Sequence, residues 1–430
     1  MEEQKKDVPA WISGGKLNEV KFAEEFLQQH QMVCCDGAFF SREGRVTDER
    51  LLKRAIYKML SPYVTSGISR KVDSALAAMR LAAPQRKLEL DPAVIHTANG
   101  TYKHGEGFSP EKTFCRHRLP VNFDWQFPRA HHWHKFLEEL LDPEDIDTLQ
   151  EFMGYCLIPT NKAQKMLIIT GQGGEGKSRI GVVMKAILGA NMAQGSIAKV
   201  ETNPFARADL KHLLLMVDDD LQMEALPSTN NLKSIITAEL PMDLERKGEQ
   251  SYQGQLTTRF MAFGNGVLRA LHDRSHGFFR RQIILSTRPR DPDRVDDPDL
   301  SQKLIAEKDS IFMWAFFGLA RLECNNFQFT ISEKSQENLK KAMAEGNNIP
   351  DFLGSTGYIA FDYSAKTTSK RLYECYQRWC GDNAMRPLGD RSFWSYLREN
   401  ADQLDLDYTT HVPIGNGKSA RGFVGIRVVD

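Results

Sequence analysis

Residues 166–178 read MLIITGQGGEGKS. MLIIT (166–170) is a short apolar run of the length of a buried strand. The next eight residues, GQGGEGKS (171–178), satisfy the pattern G-x-x-x-x-G-K-[ST], and a helical stretch opens at Arg179. Strand, glycine-rich loop and helix in this order form the context in which the pattern carries phosphate chemistry. Gly171, Gly173, Gly174 and Gly176 allow the loop, with Glu175 in it, to wrap so that backbone N–H groups point inward at phosphate oxygens. Lys177 is placed to reach the β- and γ-phosphates, and the Ser178 hydroxyl to ligate Mg²⁺. The helix beginning at Arg179 adds its positive end. ATP with Mg²⁺ is the ligand these residues predict.

Downstream, HLLLMVDDD (212–220) is an apolar strand that ends in acid. In a nucleotide hydrolase one such carboxylate completes the Mg²⁺ shell and the next polarises the attacking water. The register assigns Asp218 to the metal and Asp219 to the water, with Asp220 able to shift it by one. A further strand, RFMAFGNG (259–266), ends at Asn265, a polar side chain able to hold the lytic water. Arg280 and Arg281 precede the strand candidate at 281–287; an arginine there can reach the γ-phosphate held by a neighbouring subunit and stabilise transition-state charge. Strand candidates alternate with helical stretches, which predicts an α/β core with a parallel sheet.

Outward from this core, residues 1–155 read as a mostly helical N-terminal domain. Helical patterns lie near 17–30, 48–62 and 69–83, short strands and loops at 88–127, and two helices at 134–141 and 142–157. The core takes 156–330, including a charged, Pro-rich connection at 289–300 and a helix at 301–323. Residues 331–366 read as a linker. Residues 367–430 give two helices, then two strands about the turn Gly415-Asn416-Gly417, the pattern of a winged helix. Its Arg391, Arg398, Lys418 and Arg421 are candidates for duplex DNA, and packing or protein contact is the competing role.

The 430 residues carry 56 basic and 56 acidic side chains, so any nucleic-acid contact must be local, as in a loop or a ring interior. The charged start MEEQKKDVPAWISGGK has no apolar segment of a signal peptide. No run is long and apolar enough to span a bilayer. The cysteines are scattered without a repeated CxxC pair, which argues against a zinc ribbon and for reduced thiols in the cytoplasm. HHWH (131–134) reads as a helix start rather than a metal cluster, and Cys375 as core rather than half of a redox pair with Cys380.

GQGGEGKS, LLLMVDDD, FMAFGNG and FFRRQIIL, with LQEFMGYCLIP (149–159) upstream, resemble the superfamily 3 helicases of the AAA+ class, in the phage/plasmid primase-helicase and poxvirus-like branch. The resemblance covers about residues 20–290 and is most specific in 166–288. Staphylococcal chromosome-cassette and pathogenicity-island helicases are similar, including the terminal winged helix. The resemblance implies a homo-hexameric ring that hydrolyses ATP between subunits and pulls on one strand of forked DNA, with 3′ to 5′ movement. It also implies a β-hairpin that carries basic residues into the channel. The matching segment is LERKGEQSYQGQ (244–255), with Arg246 and Lys247 before Gly248; a lysine there contacts phosphate without reading sequence. An initiator or primase protein is a possible partner in such a system. Two departures stand out: the acidic set is Asp-Asp-Asp, and either Arg280 or Arg281 fits the trans arginine, alignment with the strand start favouring Arg281. The competing functions are an origin-binding initiator and a helicase loader or other P-loop machine that does not unwind.

Overall fold

MLIIT forms strand β1 (Met166–Thr170), buried along nearly all its length. The sheet around it adds β2 (Met192–Gln194), β3 (Leu215–Asp218), β4 (Arg259–Gly264) and β5 (Gln282–Ser286), in the spatial order β2-β3-β4-β1-β5. The pairing is parallel, with Asp218 opposite Ala262 and Gly264 opposite Thr170. Near-continuous apolar runs are what a parallel sheet covered on both faces requires. The insertion of β4 between β1 and β3 has a consequence for chemistry: the carboxyl ends of three neighbouring strands carry Gly171, Asn265 and Asp219 as their next residues.

The computed structural model describes residues 8–14, 16–221, 226, 228–246, 248, 250–266, 276–383, 385–415 and 418–429. They divide into two compact units. The first holds the described residues up to 221 together with 230–266 and 285–332; the second holds the described residues of 222–229 and 267–284 together with 333–429.

In the first unit, helices Glu19–His30, Glu49–Leu60 and Ile68–Ala82 close on a core that includes Trp11, Phe22, Phe26, Ile56 and Met79. The first two begin where Asn18 and Asp48 accept a backbone N–H from the first turn, as an N-cap side chain does. The short strands predicted at 88–127 form a three-stranded antiparallel sheet, Val94–Ser109, and a second such sheet, Val33–Arg45, is not among the predicted elements. The predicted helix at 301–323 is two helices, Leu300–Ala306 and Lys308–Cys324. The break falls at Glu307, whose carboxylate accepts the backbone N–H groups of His132 and Trp133 at 3.0 Å each and so caps helix His131–Leu140.

Helices Pro143–Tyr155 and Lys308–Cys324 cross at glycine. A Cβ at Gly154 would lie 2.3 Å from the Ala315 carbonyl, and one at Gly318 would lie 2.4 Å from that of Gln150. The same crossing holds a half-buried ion pair, Arg321 Nε to Glu151 Oε1 at 2.6 Å, while Thr330 donates its backbone N–H (2.7 Å) and hydroxyl (2.8 Å) to the same carboxylate. Glu151 is fully buried. Arg321→Ala leaves that charge with the Thr330 bonds alone and should destabilise the unit by about 1.5–3 kcal/mol. Urea denaturation checks this; a loss below about 1 kcal/mol would mean that the Thr330 bonds suffice without the guanidinium.

Two buried histidines sit where the loops around 115–121 and 209–213 pack. His117 shares a 3.2 Å hydrogen bond with Asn191, and the His212 ring lies 6.0 Å from that of Phe40. Burial first, then nearby arginines, pushes both down to about 3. Both therefore stay neutral in the fold while the unfolded chain takes up protons near pH 6.5. Stability is complete above that value and is lost as pH falls toward 3, at roughly 1 kcal/mol per pH unit for each group. Urea midpoints at pH 7 and pH 5 should differ, and His212→Phe should flatten the dependence by about one proton. Equal midpoints would exclude it.

In the second unit, residues 333–366, within the expected linker 331–366, form regular elements. They hold helices Glu333–Gly346 and Ile349–Gly354 and most of strand Ile359–Thr368. That strand pairs antiparallel with Lys418–Val428, whose other edge pairs with Asp407–Gly415. Its middle residues are exposed, so it lacks the apolar alternation by which a strand is read. Helices Ser369–Asp382 and Asp390–Glu399 pack on this sheet through Leu372, Tyr376, Phe393, Leu397 and Phe423, with Tyr376 stacked on Phe393 at 4.5 Å. Cys375 and Cys380 are buried in that core as thiols. Arg391, Arg398, Lys418 and Arg421 are exposed. No helix among the described residues is long and apolar enough to cross a membrane.

Candidate nucleotide site

The loop 171–177 leaves the carboxyl end of β1 and enters helix Ser178–Leu188. Gly171 donates its N–H to the Gly264 carbonyl at 3.1 Å, tying the loop to the end of β4. Gly173, Gly174 and Gly176 have φ of +110°, +83° and +99°, backbone that a side chain would strain. The alternation curls the loop about its own interior. A Cβ at Gly181, one turn into the helix, would press on the Phe263 ring at 3.1 Å, so the helix lies close on the sheet.

Lys177 is buried, with 9% of its surface exposed, and its Nζ donates to Asn265 Oδ1 at 3.3 Å. Two predicted residues beyond the carboxyl ends of the adjacent strands β1 and β4 thus meet. The ammonium also donates to Glu175 Oε2 at 3.3 Å, and Glu175 Oε1 accepts the Gly173 N–H at 2.7 Å. Burial works against the Glu175 charge, yet the loop's N–H groups and Lys177 outweigh it and hold the carboxyl below its usual range. Ser178 is half-buried at the helix start and Arg179 is exposed.

Asp218 ends β3 with 6% of its surface exposed, and its Oδ2 accepts the Ile197 N–H at 2.8 Å. Burial raises its pKa, and the charges of Asp220 and Asp219 add to the rise. Asp219 and Asp220 are exposed in the bend that follows. The three acids therefore differ in kind: one is fixed and desolvated, two face solvent. A hydroxyl and a buried carboxylate are oxygen donors of the type a hard divalent cation takes, so Ser178 and Asp218 suit Mg²⁺ by donor chemistry.

Arg280 and Arg281 belong to the second unit. Arg280 is exposed; the partly buried Arg281 donates from Nη1 to the Gly277 carbonyl. The hairpin expected in 244–255 is present, with Met242–Leu244 paired to Tyr252–Gly254 and Gly248 at φ +78°. The Arg246 guanidinium lies over the Tyr252 ring at 5.6 Å, with Lys211 at 4.4 Å from the same ring. Lys247 lies outside the described residues.

The sequence reading missed the segment after β5, taken as a bare charged connection. Arg294 Nη1 donates to the Glu175 carbonyl at 2.9 Å, and Arg290 Nη2 pairs with Asp296 at 2.9 Å. Nothing but three arginines close behind a core strand marks this segment. In HHWH, His132 Nδ1 meets Glu307 at 2.8 Å and His134 Nδ1 meets the Ala130 carbonyl at 2.7 Å. LQEFMGYCLIP supplies Tyr155, whose ring lies 5.2 Å from the guanidinium of the buried Arg259 in β4.

Residues 169–281 match a family of unknown function (DUF5906). No curated protein matches the chain. Among solved structures, the apo C-terminal region of NrS-1 is similar in fold: one form has 12% identity and a TM-score of 0.55, covering 95% of this chain and 99% of that one. The A form has 12% identity and a TM-score of 0.52, covering 95% and 100%.

Proposed function

We propose that this chain is a P-loop ATPase of the AAA+ type that works as a homo-hexameric DNA helicase in the replication of a phage, plasmid or other mobile element. The observation that carries the reading is the meeting of Lys177 with Asn265 at 3.3 Å, at the carboxyl ends of two adjacent parallel strands, with Asp218 ending the next strand. In open α/β sheets that edge is where ligands bind. The loop cradles the phosphates and Lys177 neutralises them. Asn265, already in contact with that ammonium, orients water at the γ-phosphate, and Asp219 takes its proton. Ser178 and Asp218 would hold Mg²⁺, which would supply neutralisation of phosphate charge. An arginine from the next subunit, Arg280 or Arg281, stabilises the charge that develops in transfer.

Arg246 and Lys247, flanked by Glu245 and Glu249 in the hairpin segment, are the phosphate contacts of the DNA-facing part of this reading. Residues 359–428, with a strand, two helices and two further strands, support the winged-helix reading.

Strand displacement of forked DNA with ATP tests the whole. Wild type should unwind, Lys177→Ala should neither hydrolyse nor unwind, and Lys247→Ala should hydrolyse ATP without DNA yet fail to unwind. Hydrolysis without displacement on forks with either tail free would move the reading to a loader or origin-binding initiator. Absence of hydrolysis in wild type would overturn it.

A further inference from the structure

We infer that the Glu175 carboxylate competes with nucleotide phosphate for the donors of its own loop, and that this side chain sets the affinity of the site. The inference rests on the ATPase reading. Gln172, Gly173 and Gly174 are exposed, yet Glu175, which follows them, has only 3% of its surface exposed, because its side chain turns into the loop. There it takes the Gly173 N–H at 2.7 Å and the Lys177 ammonium at 3.3 Å. Its Oε2 lies 2.9 Å from where a Cβ on Gly171 would stand, so the carboxylate spans the inner curve of the loop.

A backbone N–H offers one hydrogen. The Gly173 N–H cannot serve the carboxylate and a phosphate oxygen together, and two anions against one ammonium repel. Phosphate therefore enters as the carboxylate leaves, and the measured affinity is the intrinsic one scaled by the fraction of molecules with Glu175 displaced. The displaced side chain has a destination. Glu175 lines a cleft with Arg290 and Arg294. Arg294 already holds the Glu175 carbonyl, and Arg290 Nη1 stands 3.3 Å from a Cβ position on Gly174. Exchange of the carboxylate from Lys177 to these arginines would report nucleotide binding to the segment behind β5.

Calorimetric titration of the full chain with ATP and with ADP, on wild type, Glu175→Gln, Glu175→Asp and Lys177→Ala, tests this. Thermal melting of each variant checks that it is folded. Glu175→Asp keeps the charge but is too short to reach Lys177; Glu175→Gln keeps the reach but loses the charge. Both should bind about tenfold more tightly than wild type, the effect of releasing a hydrogen bond to a charged group. Unchanged or weaker binding by both, with wild type binding and Lys177→Ala not, would make Glu175 a brace of the loop and leave the ATPase reading standing. Tighter binding by Glu175→Gln alone would reduce the effect to charge repulsion and overturn the competition. No binding by any of the four would overturn both readings.

Discussion

Arg280→Ala should lower ATP turnover by about 10³–10⁵ while leaving nucleotide binding intact. A residue that acts on the phosphates of a neighbouring subunit must project from its own surface. Arg280 is exposed, whereas Arg281 is partly buried. Alignment of the motif with the start of the strand favours Arg281, and exposure shifts the preference to Arg280. Arg281→Ala should accordingly cost less, and its main effect should be on the turn that presents Arg280. The decisive measurement mixes two inactive proteins. Lys177→Ala subunits keep their arginine, and Arg280→Ala subunits keep their phosphate loop. If the chain assembles as the proposed ring, mixed rings contain interfaces with both parts intact, and activity should return in proportion to their number. Full activity in both arginine variants would remove the shared site, and a mixture that stays inactive would place the arginine in the same subunit as the lysine it serves.

The second large effect concerns the acids. Asp219→Asn should reduce hydrolysis by about 10²–10⁴, the range for loss of a general base, with ATP still bound. Asp218 is poorly suited to that role. Its Oδ2 is committed to the Ile197 N–H at 2.8 Å, and it sits at the buried end of β3. A fixed, desolvated carboxylate matches a cation, which offsets the burial that raises its pKa. Asp218→Asn should therefore show its loss as a raised Mg²⁺ requirement, and Asp220→Asn should be near wild type. Single-turnover hydrolysis across a Mg²⁺ series separates the three. If Asp220→Asn shows the large loss and Asp219→Asn does not, the register moves by one residue. Tolerance of Asp219→Asn and Asp220→Asn alike, with retained sequence-specific DNA binding, would favour an initiator in which nucleotide sets only the state of assembly.

Local patterns were legible to within a residue or two. MLIIT is β1 at its expected ends, and the strand candidates at 213–218, 259–265 and 281–287 became β3, β4 and β5. The loop's glycines occupy the positive φ that the motif demands. These features depend on near neighbours: a run of apolar side chains, a proline, a glycine that can turn. The spacing predicts one continuous helix at 301–323, whereas its break depends on Glu307 capping another helix. Strand Ile359–Thr368 was read as linker because its partner lies at the far end of the chain.

The site divides along the same line. The residue types in order, Lys177, Asp218, Asp219, Asn265 and the arginine pair, are a property of the sequence alone, since the proposed chemistry asks for those groups after those strands. Which of them touch is not. The strand order that sets Asn265 beside Lys177, the Glu175 carboxylate turned into its own loop, and Arg294 on the Glu175 carbonyl all join segments that no local pattern relates. Hydrogen-bonding period and burial are local and are written in the spacing of side chains. Strand order and the pairing of polar groups follow from which distant surfaces pack together, and only the folded chain expresses that.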